Sequence, residues 1–136
     1  MFRQTLPDGR ILISSDPQEL SSLALVPGFA LLVAANTESD CVAVLRSVGA
    51  LVDQGCSEIA CVGPRAESLH DSIDTKLEDL GAEAVMTTWH HDFVDGCEYI
   101  FFGAGAGRIA MIVVLLFAQV EPLDALAKFV ATELSQ

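Results

Sequence analysis

Short uninterrupted apolar runs alternate with amphipathic stretches along this chain, and glycine or proline separates them. Residues 29–35 form one such run, as expected of a strand covered on both faces. Thr37-Glu38-Ser39-Asp40 follows and reads as a helix cap with acids in the first turn. Cys41, Val44, Leu45, Val48, Leu51 and Val52 then recur at helical spacing, and Gly55 ends the stretch. A second strand is read at 59–62, broken by Gly63-Pro64. The next helix places Leu69, Ile73, Leu77 and Leu80 on one face and stops at Gly81. A third strand is read at 84–88, running into Trp89-His90-His91-Asp92. A helix capped by Asp92 carries Val94, Cys97, Ile100 and Phe101. The fourth and strongest strand is 109–117, and Pro122 opens a last helix. Strands alternating with helices imply right-handed crossovers and a parallel sheet. The expected fold is a three-layer α/β sandwich, flavodoxin-like or Rossmann-like, with a short parallel sheet in the order 2-1-3-4.

Two strand-like runs, 3–6 and 10–14, flank Pro7-Asp8-Gly9 and predict an N-terminal β-hairpin at one end or edge of that sheet. Ser15-Asp16-Pro17 resembles a helix start, with Ser15 as the cap. The chain of 136 residues therefore reads as one domain, with 1–27 as hairpin and short helix and 28–136 as core. At 51 % hydrophobic and 19 % charged, much of it is expected to be buried. The longest apolar run, 109–118, falls short of the ~20 residues a membrane helix needs. The first residues lack the pattern of a signal peptide, so the cytoplasm is the expected compartment. Cys41, Cys56, Cys61 and Cys97 form no C-x-x-C pair and read as buried, reduced thiols.

Nineteen acids against seven bases leave a net charge of -12, which disfavours nucleic acid and anionic membrane as partners. The charge is uneven. Nine of the nineteen acids fall between Glu67 and Glu98, where the only base is Lys76. A basic protein partner or a cation would be drawn there. The plainer reading is solubility. A homo-oligomer is also open, because the hairpin or the last strand offers an edge for pairing.

In open α/β sheets ligands bind beyond the carboxyl ends of the strands. Asn36 and Thr37, Gly63 and Pro64, and Thr88, Trp89, His90, His91 and Asp92 are expected to meet there, with His70, Asp71 and Asp74 approaching from the side. His90 and Asp92 point the same way on an extended segment, and His70 or Asp71 could complete a set for a divalent metal. Alternatively, Asp92 caps a helix and the histidines bond locally. A His–Asp pair could serve as base and orienter, making His90, Asp92, Asp71 and Asp74 candidate catalytic residues. No G-x-S-x-G elbow accompanies them. The glycine-rich run 103–107 looks like part of a dinucleotide fingerprint. It works as one only between a strand and a helix, whereas Ile112-Val113-Val114 reads as strand. A helix-to-strand connection is the plainer reading.

Cys61-Val62-Gly63-Pro64, His70-Asp71-Ser72-Ile73-Asp74 and the run from Val85 to Asp92 resemble a family of small uncharacterised bacterial proteins. That family carries a Gly-Pro turn, a D-S-[IV]-D segment and an M-T-T-W-H-x-D segment followed by a helix. The resemblance spans 56–102, and His70 stands where the family pattern has an acid. It implies no reaction, but it points to the same strand-end residues. The leading expectation is a non-catalytic interaction or regulatory domain using an acidic face and the Trp89–Asp92 corner. The alternative is a small metal-dependent or small-molecule enzyme at the strand ends.

Overall fold

The computed structural model describes residues 2–104, 109–117 and 120–134. The strands are β1 (Phe2–Thr5), β2 (Ile11–Ser15), β3 (Ala30–Ala34), β4 (Glu58–Val62), β5 (Met86–His90) and β6 (Met111–Leu116). The helices are α1 (Pro17–Leu20), α2 (Glu38–Asp53), α3 (Ala66–Asp79), α4 (Phe93–Glu98) and α5 (Val120–Phe129). A π-helical turn, Tyr99–Gly103, extends α4, and another, Val130–Leu134, extends α5.

The six strands form one sheet in the order β1-β2-β6-β3-β4-β5, parallel except for the β1–β2 hairpin. Counting only the four core strands, the order is 4-1-2-3 rather than the expected 2-1-3-4. The chain steps outward through β3, β4 and β5 and then returns past two strands to place β6 beside β3. The hairpin is integral to the sheet, because β2 pairs in parallel with β6. That makes β6 an interior strand, flanked by β2 and β3, and removes it as an edge for a second copy.

Two apolar layers hold the sheet. Leu31, Val33, Ile59 and Cys61 meet Leu20 of α1, Val44, Val48 and Leu51 of α2, and Leu69, Ile73 and Leu77 of α3. On the opposite face Leu32, Ala34, Ala60 and Val62 meet Cys97, Ile100 and Phe101 and then Leu126 and Phe129 of α5. Alternate residues of each strand serve the two layers, so every position of β3, β4 and β6 is buried. This accounts for their unbroken apolar runs. Near Gly96, α4 approaches the sheet closely: a Cβ there would lie 2.1 Å from Val62 Cγ1.

Local signals deviate in small ways. The cap of α1 is Asp16, not Ser15: its carboxylate accepts the Glu19 amide at 2.8 Å. Leu80, expected on the buried face, is exposed at the C-cap of α3. The third strand runs two residues later than expected, so Trp89 and His90 belong to it. Cys56, Cys61 and Cys97 are buried, Cys41 is half-buried, and all four are free thiols.

Candidate functional site

The loops after β3, β4 and β5 do meet at the carboxyl end of the sheet. Thr37 caps α2 and makes a capping box with Asp40, accepting its amide at 3.1 Å. Gly63 adopts φ +105°, which glycine alone tolerates easily, and a Cβ there would approach Asn36 Oδ1 to 3.0 Å. Its amide donates to the His90 carbonyl at 3.0 Å, binding the Gly63-Pro64 turn to the end of β5. Pro64 is exposed. A crevice of about 280 Å³ opens between α4 and α5, lined by Asn36, Gly63, His91, Asp92 and Phe93 with Pro122 and Ala125.

Within β5 the side chains separate. Thr87 and Trp89 face α3, and Thr88 and His90 face the opposite layer. Thr87 Oγ1 donates to Asp74 Oδ1 and lies 3.1 Å from His70 Nε2. His70 Nδ1 lies 3.1 Å from Asp71 Oδ1, and its Nε2 lies 3.5 Å from Asp74 Oδ2. The expected cluster of His70, Asp71 and Asp74 therefore forms, but along α3 and against the middle of β5. Trp89 packs half-buried on the same side, with the His91 ring edge-on at 5.0 Å.

On the other side, Thr88 Oγ1 is 3.2 Å from His90 Nε2, and the His90 ring tilts against Tyr99 at 5.4 Å. Burial lowers the His90 pKa, partly offset by the nearby Asp95. Asp92 caps α4, its carboxylate accepting the Val94 amide at 2.9 Å. His90 and Asp92 consequently serve different local structures, and His70, Asp71 and Asp74 lie across the sheet from His90. No group of three or more His, Cys, Asp or Glu side chains among the described residues could hold a metal ion. Gly103 ends the π-helical turn, with its Cα face against the Tyr99 ring; Gly105, Gly107 and Arg108, the remainder of the considered phosphate loop, lie outside the described residues.

Sequence reasoning overlooks Glu58. It begins β4, is only 4 % exposed, and its Oε2 has no hydrogen-bond partner among the described residues. Burial, together with the neighbouring Glu58 carboxylate, pushes the Tyr99 pKa up to about 12. The available signal is the alternation of Glu58, Ala60 and Val62, which puts an acid on the face of the α4 layer.

The outer boundary of the site is the free side of β5. Met86 donates to the Ser57 carbonyl and His90 accepts from Gly63, so the even-numbered amides of β5 turn toward β4. Those of Thr87 and Trp89 turn outward. Beside them lies a cleft of about 320 Å³ between α3 and β5, carrying Asp74, Glu78 and Glu83 over Leu77 and Val85.

Residues 10–133 match the model of a family described as Domain of unknown function (DUF7684), a span that includes the three motifs around Gly63, Asp71 and Trp89. No curated protein matches the chain. Among the described residues no helix is long and apolar enough to cross a membrane.

Proposed function

The chain belongs to the DUF7684 family, a membership that assigns no chemistry, and from its geometry we propose that it is a non-catalytic interaction domain for a basic protein segment. One observation carries this reading. The acids of α3, of the turn after it and of α4 border the two faces of β5, and Lys76 is the only base between Glu67 and Glu98. Carboxylates of one sign on both sides of a strand reinforce one another's field and attract cations from solution. Asp71 and Asp74 have side chains 74 % and 43 % exposed, so a partner's ammonium or guanidinium groups can reach them. A catalytic reading would need His90, Asp92, Asp71 and Asp74 in one constellation, and the alternation of β5 directs them to separate places. The same charge repels nucleic-acid phosphates and anionic lipid.

Trp89 is the only tryptophan and stands at this border, so its fluorescence reports on binding. The test titrates the protein with an alternating Lys–Val peptide and, separately, with a Glu–Val peptide of equal length. The expected result is saturable binding of the Lys–Val peptide that weakens steeply from low to physiological salt, and none of the Glu–Val peptide. Equal binding of both peptides, or no binding of either at low ionic strength, would overturn the proposal.

A further inference from the structure

We infer that the basic segment docks as an added strand along β5, placing one lysine or arginine in the cleft between α3 and β5; this rests on the interaction reading above. The sheet ends at β5, and among the described residues the outward amides of Thr87 and Trp89 donate no backbone hydrogen bond and their carbonyls accept none. An exposed strand edge is a template for another strand. Natural edges are blunted by proline, lysine, inward charge or a bulge. β5 has none of these: its sequence is Met-Thr-Thr-Trp-His, and its register against β4 is continuous from Met86 to His90. Met86, a residue 58 % exposed, stands at the start of this edge.

The cleft gives the added strand a preference. Side chains on successive residues alternate between the faces of a sheet. A residue of the new strand lying beside Thr87 therefore projects over the α3 side. There the stem of a lysine or arginine meets Leu77 and Val85, and its charged end reaches Asp74, Glu78 and Glu83. A second copy of this chain is the poorer occupant. Two β5 edges brought together would face their acidic borders toward each other, on a chain whose net charge is already -12. An extended basic peptide gains from the same charges.

The experiment compares the Lys–Val peptide with the same peptide N-methylated at alternate residues. The substitution keeps every charge and removes the donors along one edge. Binding is read from Trp89 fluorescence, and docking from hydrogen exchange at the Thr87 and Trp89 amides. Strand addition predicts that both amides slow in the complex and that N-methylation weakens binding at least about tenfold. The Glu78→Gln/Glu83→Gln variant changes two exposed side chains that support no other contact described above, and it should weaken the unmodified peptide about tenfold. If both peptides bind equally and neither amide slows, the acidic border still attracts basic chains, but strand addition is wrong. If no basic peptide binds, this inference and the interaction reading fail together. A mass that rises with protein concentration in the absence of peptide, with the two amides slowing in step, would seat a second copy on the edge and overturn the proposal.

Discussion

Gly96→Ala probes how the α4 layer is set against the sheet. The new methyl would stand 2.1 Å from Val62 Cγ1 and 3.3 Å from Leu32 Cδ1. Carbon atoms settle at about 3.5–4.0 Å, so α4 would have to lift or Val62 would have to leave its rotamer. Overpacking of this kind costs about 1–3 kcal/mol, and a contact so short belongs at the upper end. Alanine returns up to about 1 kcal/mol of helix propensity. The expected net loss is therefore about 2 kcal/mol, or about 1 M in the urea midpoint at a slope of ~2 kcal/mol per M. Val62→Ala removes the opposing methyls and should cost about 2 kcal/mol alone, from lost transfer energy and the cavity left behind. Combined, the two changes relieve each other, and the double variant should be more stable than the sum predicts by at least about 1 kcal/mol. Urea unfolding followed by circular dichroism measures all four proteins. A Gly96→Ala variant as stable as the parent, or strict additivity in the cycle, would refute the close approach of α4 to β4.

Other outcomes follow from the same packing. Burial pushes Cys56, Cys61 and Cys97 from the ordinary 9.0 up to about 12. In the native protein a thiol reagent should therefore modify at most Cys41, against all four cysteines in denaturant. These raised values also set a sign. The folded state keeps protons that the unfolded state releases, so the thiols' contribution is complete below about pH 9 and is lost as pH rises toward 12, visible as a falling urea midpoint. Glu58→Met replaces a buried carboxylate whose Oε2 has no hydrogen-bond partner among the described residues, and should raise stability by about 1–3 kcal/mol, as read by thermal melts. Thr37→Ala removes the cap of α2 and should cost about 1 kcal/mol in the same assay.

The buried strands are legible in the sequence because β3 and β6 lie under helices on both faces, which leaves no alternation to detect and no polar residue to tolerate. The caps at Thr37 and Asp92 are equally local, each set by one side chain and the amides after it. Strand order is not local. The return from β5 to β6 is fixed by Gly96, Cys97, Ile100 and Phe101 seating α4 and its π-helical turn on the face opposite α2 and α3, and no residue between 93 and 110 signals which face that is. The site is legible to the same degree. Glycine at 63 marks the turn that binds β4 to β5, and the D-S-[IV]-D segment marks the helix face that holds His70, Asp71 and Asp74. What escapes is the extent of β5. Ending the strand at 90 instead of 88 carries Trp89 and His90 into the sheet and sends them to opposite sides, which divides a group that looks continuous in sequence. Glu58 escapes because an acid at the start of an apolar run resembles a surface boundary, and only the return of Tyr99 over the sheet encloses it.

Backbone hydrogen exchange of the free protein, resolved by residue, tests the open edge of β5 most directly. The amides of Thr87 and Trp89 should exchange many times faster than those of Thr88 and His90, their neighbours turned toward β4, while β6 exchanges slowest of all strands. Equal protection along 86–90 would mean that the edge is already covered and would contradict the account.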